Sequence, residues 1–299
     1  MENNNIPKKE INIGISLLRI WMCFEVVLEH FKTWDWDTIN QTSKLHQSIC
    51  NFLSFNMFMA VPCFMILAFI FTDIEYIAKD GVQFKRRLIR LITPVIFWAV
   101  IYLLVYVVLD YVYGTKLIQF KTDLLWQIIF GHAYNRTLWF QFDLIVITLL
   151  YVGVFRYLDK KRALTVIAFF TLFALIAQYS NKNAEILQKI NLGIYPKTYV
   201  LEPLGRICEM IPYATIGVII KEFKVLDKEE AAIDTLLKII LSLLTIKFLK
   251  SNSVFYTPLG FVYQGIQKIV IAFFYVVFFY LLHQMFTALK LNTCKVWGG

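Results

Sequence analysis

Charged residues make up only 17% of this 299-residue chain, and glycine (12), proline (7), cysteine (5) and histidine (4) are all sparse. Each shortage excludes something. Five cysteines with no regular spacing make neither a disulfide framework nor a metal site. Cys23, Cys63 and Cys208 fall inside apolar runs as small packing residues, with Cys50 and Cys294 near run ends. No Gly- or Pro-rich linker and no low-complexity block marks off a soluble domain. The opening MENNNIPKKE is too polar for a signal peptide, and no small-residue cleavage site follows, so the first apolar run is expected to stay in the mature protein. A net charge of +9 raises the question of nucleic acid. The lysines and arginines, however, sit mainly in short segments between apolar runs, with no basic aromatic groove or zinc spacing, so no nucleic-acid partner is expected.

What is abundant is apolar surface: 59% hydrophobic residues, 17% aromatic, and a mean hydropathy of +0.61. It is arranged in repeated runs of near 20 residues, the length of helix that crosses roughly 30 Å of hydrocarbon. Eight spans are predicted, at about 13–33, 50–72, 90–112, 138–157, 162–180, 203–221, 233–250 and 266–288. The seventh is interrupted by Lys238 and Lys247. Between the third and fourth, FKTDLLWQIIFGH is apolar but short, and reads as an interfacial or re-entrant helix. The fold class expected is therefore an all-α, polytopic transmembrane bundle in one unit.

Lys and Arg alternate in density between successive connections. The rich set holds Lys8 and Lys9, then Lys79, Lys85, Arg86, Arg87 and Arg90, then Arg156, Lys160, Lys161 and Arg162, then Lys221, Lys224 and Lys228. Positive-inside bias places these, and the N-terminus, in the cytoplasm, and the multi-pass protein in the cell membrane.

Ionisable groups inside spans cost a few kcal/mol or more and are kept by pairing or by function. Span 1, INIGISLLRIWMCFEVVLEHF, holds Arg19, Glu25, Glu29 and His30. Arg19 and His30 are eleven residues apart, which on a helix means nearly one face, offset by about 20°, with roughly 16 Å of rise between them. Glu25 and Glu29 fall off that face and are candidates to pair with a basic group from another helix. The bland alternative makes Arg19 a partner for some carboxylate and His30 a wet interfacial residue. At the start of span 3, Arg86, Arg87 and Arg90 gather on one side of a helix, a set of planar forks suited to phosphate; alone, a topogenic basic stop explains them as well. Asp143, a turn inside span 4, has no local partner, whereas Glu202, Arg206 and Glu209 in span 6 are spaced to neutralise one another.

These residues resemble acyltransferase family 3, polytopic enzymes that move acyl groups onto sugars and related acceptors. Arg19 and His30 match the family's Arg and His separated by ten residues in the first helix. FNMFMAVPCFMILAFIFT resembles the second helix, although Leu67-Ala68-Phe69 stands where Ser-Gly-Phe is usual. KRRLIRLITP resembles the Arg-Arg-x-x-Arg stretch with its following proline, Pro94. LWFQFDLIVITLLYV and MIPYATIGVII resemble later helices. The likeness spans roughly residues 13–289 in order, which makes residues 1–299 one acyltransferase-3-like transmembrane domain. The family has about ten helices, so the end at LNTCKVWGG implies a chain lacking the last one or two.

The resemblance implies a cytoplasmic acyl-CoA donor, acetyl-CoA foremost with succinyl-CoA also compatible, and a glycan or glycolipid acceptor. No metal is called for. Arg86, Arg87 and Arg90 would hold the CoA phosphates, Arg19 would meet the thioester carbonyl, and His30 would be the general base, with Asp143 or Glu29 orienting or charge-balancing it. Partners expected are the bilayer, the donor and the acceptor; a homo-oligomer is compatible. The rival is a transporter or flippase for a lipid-linked saccharide, which would also carry buried charges but would usually show internal repeats, and none is found. A receptor is a third option, with no signalling surface outlined.

Overall fold

A computed structural model describes residues 13–30, 44, 47–48, 59–114, 139–182, 197–224, 232–251 and 258–288. Among them every regular element is α-helix: α1 (Ile13–His30), α2 (Ala60–Ile70), α3 (Ile74–Lys79), α4 (Gly81–Tyr113), α5 (Trp139–Tyr157), α6 (Lys160–Lys182), α7 (Lys197–Glu222), α8 (Ala232–Ser251) and α9 (Pro258–Ala288). The described part of each of the eight expected spans falls on one of these helices; residues 31–33 of the first and 50–58 of the second lie outside the described residues. Among the described residues, four segments are long and apolar enough to cross a membrane: Gly81–Tyr113, Trp139–Tyr157, Pro203–Glu222 and Ile266–Thr287. α1 and α8 are apolar but carry internal charge, Arg19 and Glu25 in one, Lys238 and Lys247 in the other. The expected interfacial helix, residues 120–132, lies outside the described residues.

Two features differ from the sequence reading. The helix that carries the third span starts nine residues ahead of it: α4 begins at Gly81, where the Asp80 carboxylate caps it by accepting from the backbone N–H groups of Val82 and Gln83 (2.9 and 3.2 Å). Pro94 is therefore mid-helix, opposite the Arg90 carbonyl. The helix ends at Gly114, whose φ of 63° is the left-handed cap that glycine adopts without strain. Ahead of α4, α3 is an unpredicted helix of one and a half turns. Asp73 caps it through the Tyr76 N–H (2.9 Å), and Lys79 pairs with Glu75 one turn away (2.6 Å).

The chain divides into two compact units, residues 1–67, 222–254 and 266–299 in the first, and 68–221 with 255–265 in the second. In the first, α1 buries Gly14, Ile15, Leu18, Met22 and Glu25, a stripe at helical spacing. α8 buries the narrower stripe Thr235, Ile239, Ser242 and Ile246 and leaves Leu236, Leu237, Leu241, Leu243 and Leu244 exposed. Gly14 is pressed against α9: a methyl group there would collide with the Phe279 carbonyl. Small residues let membrane helices approach this closely. In the second unit α5 is central. Its rows Asp143–Ile147–Tyr151–Phe155 and Leu144–Thr148–Val152 are all buried. α3 packs on α5 through buried Ile74 and Ala78.

Candidate functional site

Arg19 and His30 lie on one uninterrupted helix, α1, so the eleven-residue register between them holds. Taking 100° per residue, the buried stripe of α1 spans roughly a quarter of the circumference, and Arg19 and His30 fall about 90–110° from its centre. Arg19 and Cys23 are exposed, and Val26 is half-buried between them and the packed stripe. Arg19 and Cys23 thus stand on the flank of the packed face. Glu25, in contrast, is on the packed face itself, 3% exposed. Tyr275 of α9 is within electrostatic reach of Glu25 and of the Cys63 thiol, and that thiol sits 3.9 Å from the Ala272 carbonyl. Glu29 is the penultimate residue of α1.

In the second unit, the first turns of α4 present Lys85, Arg86 and Arg90 outward, while Arg87 is half-buried. The Arg87 Nε is shielded from solvent and makes no hydrogen bond, and the guanidinium feels the repulsion of Arg90 one turn on. Four cations lie within two turns, one of them turned inward with an unused donor, and guanidinium forks are suited to anions with several oxygens.

Asp143 has the partner that sequence spacing did not disclose. It is fully buried, and its Oδ2 accepts from the Arg206 Nε of α7 at 3.5 Å. The Arg206 guanidinium also lies over the Trp139 ring, 5.4 Å from its centroid, a cation–π distance. Sequence spacing offers Arg206 only Glu202 and Glu209 of its own helix; the guanidinium also reaches across to α5. Glu209 is near enough for its charge to act on Asp143. The pair is monodentate, and the Asp143 Oδ1 makes no hydrogen bond.

Two turns further along α5, a run of hydroxyls was missed entirely from sequence. Tyr151 Oη is 2.6 Å from Thr215 Oγ1 and 3.1 Å from the Ile211 carbonyl, and Thr215 Oγ1 is 2.7 Å from Thr171 Oγ1. Thr171 also donates to the Ile167 carbonyl at 3.0 Å. An ordering in which Tyr151 donates to Thr215, Thr215 to Thr171 and Thr171 to that carbonyl satisfies every hydroxyl. It ties α5, α6 and α7 together where an unmade hydrogen bond would be costly.

Among the described residues, no group of three or more His, Cys, Asp or Glu side chains is placed to hold a metal ion. No curated protein and no solved structure matches the chain. The model of the acyltransferase domain of acyltransferase family 3 does match, over residues 12–296, nearly the whole length. That match takes in Arg19, His30, the α4 arginines and the Asp143–Arg206 pair in one stretch, and the all-helical, membrane-crossing architecture is what such an enzyme requires. The chain belongs to acyltransferase family 3 and is a membrane acyltransferase.

Proposed function

We propose that the protein moves an acyl group, acetyl foremost, from acyl-CoA on the cytoplasmic side of the cell membrane to a hydroxyl of a cell-surface glycan or glycolipid precursor. The observation that carries the reading is the register of Arg19 and His30 on a single helix, on the flank of its packed face. A cation and an imidazole roughly 16 Å apart along one stripe give a route along which an extended thioester arm can lie. Cys23 and Val26 line that route.

In this reading Arg86, Arg87 and Arg90 grip the CoA phosphates at the positively charged, cytoplasmic end of α4. The fixed charge of Arg19 stabilises the oxyanion that develops on the thioester carbonyl. His30 takes the proton of the acceptor hydroxyl as its oxygen attacks the carbonyl carbon. The C–S bond then breaks, and the CoA thiolate leaves with the proton that the imidazolium returns. Glu29, next in sequence to His30, supplies a nearby negative charge for the imidazolium. Asp143 has one oxygen engaged by Arg206 and is not needed for that step. The orientation that puts the N-terminus in the cytoplasm is what brings donor phosphates and basic turns to the same side.

The test is transfer of label from [14C]acetyl-CoA to the membrane glycolipid fraction by the full chain in native membranes. His30→Ala is expected to lower the rate by about 10²-fold or more, the range of a lost general base. Arg19→Gln should cost about as much, as removal of an oxyanion-stabilising donor does. Transfer at the wild-type rate by both variants would refute the assignment.

A further inference from the structure

We propose that Asp143, Arg206 and Trp139 form the binding site for the hydroxylated acceptor, with Asp143 Oδ1 accepting a hydrogen bond from a sugar hydroxyl. The idea rests on the acyl-transfer reading and names the substrate group that this second polar centre takes.

A carboxylate offers about four lone-pair positions. In Asp143, 0% exposed, a single long contact to Arg206 uses one oxygen, and Oδ1 is left with no hydrogen bond. Thr148, five residues along the same helix and equally buried, has a hydroxyl in the same condition. Buried polar atoms without partners are few in folded proteins, and each asks for a water, an ion or a ligand. The charges nearby decide which. An anion would be repelled by Asp143 and by Glu209, which acts on the same carboxylate. A cation would meet Arg206, already in place at 3.5 Å. A neutral group that donates a hydrogen bond is what remains, and a hydroxyl is the neutral donor that an O-acyltransferase acceptor carries.

The surroundings fit a sugar. Arg206 keeps 15% of its side chain exposed and Trp139 is half-buried, so the centre opens toward the surface of its unit instead of being sealed in the core. An indole supplies the flat apolar wall that binding sites commonly set beside a few directed polar groups.

The test uses the full chain in nanodiscs, [14C]acetyl-CoA as donor and, as the acceptor probe, the glycolipid fraction extracted from the membranes of the expressing cells. Asp143→Asn turns its amide oxygen to Arg206 and puts an NH2 where an acceptor is needed. Trp139→Leu removes the wall and leaves the ion pair. Each is expected to raise the apparent KM for the glycolipid fraction at least tenfold and leave the KM for acetyl-CoA within twofold. A fall in kcat with both KM values unmoved, or no change at all, would mean a structural ion pair with a trapped water and would overturn the proposal. Should Asp143→Asn not fold, Trp139→Leu decides alone. Binding of the same fraction with no donor present keeps this idea separate from the acyl-transfer reading. Wild-type binding that both variants lose supports the site even where no label moves; equal binding by wild type and variants sinks it.

Discussion

Replacing Arg206 by methionine keeps most of the side-chain volume and strips Asp143 of the charge that offsets it. Asp143 has no exposed surface and its partner sits 3.5 Å away. At that separation two unit charges attract by about 5 kcal/mol in an effective dielectric of about 20, an upper limit on what the pair can lose. Removing one member of a buried pair usually costs about 3–5 kcal/mol, because the other is left as an uncompensated buried charge, whereas replacing both is often close to neutral. Arg206→Met is therefore expected to destabilise by about 3–4 kcal/mol. Asp143→Asn should cost less, about 1–2 kcal/mol, since Arg206 is partly exposed and has Glu209 one turn away. The double variant should fall near the milder of the two, giving a coupling of about 2–4 kcal/mol. Equilibrium unfolding of the purified protein in mixed detergent micelles, titrated with a denaturing detergent, measures all four corners of the cycle. Losses that add to within about 0.5 kcal/mol would show that the two side chains do not interact in the folded protein, and the polar centre built on them would go with the pair.

Gly14→Ala puts a methyl group into the Phe279 carbonyl, a backbone atom that cannot step aside, so α1 and α9 must separate; a loss of about 1–3 kcal/mol is expected, read as a lower Tm. Gly153, inside α5 with no atom within 4 Å of its would-be methyl, is the control: Gly153→Ala should raise Tm by the equivalent of about 0.5–1 kcal/mol. Equal responses at the two glycines would refute the close helix approach. Tyr151→Phe removes a hydroxyl 2.6 Å from Thr215 and should cost about 1–2 kcal/mol in the same melt. Combined with Thr171→Val it should cost less than the sum, since both break one chain of hydroxyls; strict additivity would argue against the network.

The helices were legible because run length is dictated by the bilayer: a stretch that must hide every backbone group in hydrocarbon has only one economical conformation. Where that constraint lapses, reading fails. Residues 73–90 alternate charge and apolar side chains outside any span, and the signals that fold them are two aspartate caps, Asp73 and Asp80, and one lysine–glutamate pair. Those capping aspartates are visible in the sequence, three residues or fewer before the N–H groups they accept from, and a search for them would have placed the start of α4 at Gly81. The register of Arg19 and His30 needed only the helical repeat. The partner of Asp143 needed more. It comes from a residue 63 positions away, and the only rule that sequence offers for charges in one helix, spacing of three or four, pointed Arg206 at Glu202 and Glu209. Tyr151, Thr171 and Thr215 were lost for the same reason: hydroxyls at large separations carry no periodic signal.

The polar groups of the membrane helices then divide by what holds them. In the second unit the hydroxyl chain of α5, α6 and α7 closes on itself at the Ile167 carbonyl, and such a closed network contributes rigidity with nothing left over for a ligand. The Asp143–Arg206 pair closes only halfway, through one oxygen of two. On α1 the division falls within a single helix: Glu25 is folded into the packed face, while Arg19 stands off it on the stripe that His30 shares. A charge inside a span costs a few kcal/mol and is kept by pairing or by function, and Arg19, exposed on the flank of the packed face, stands where the proposed chemistry along that stripe would use it.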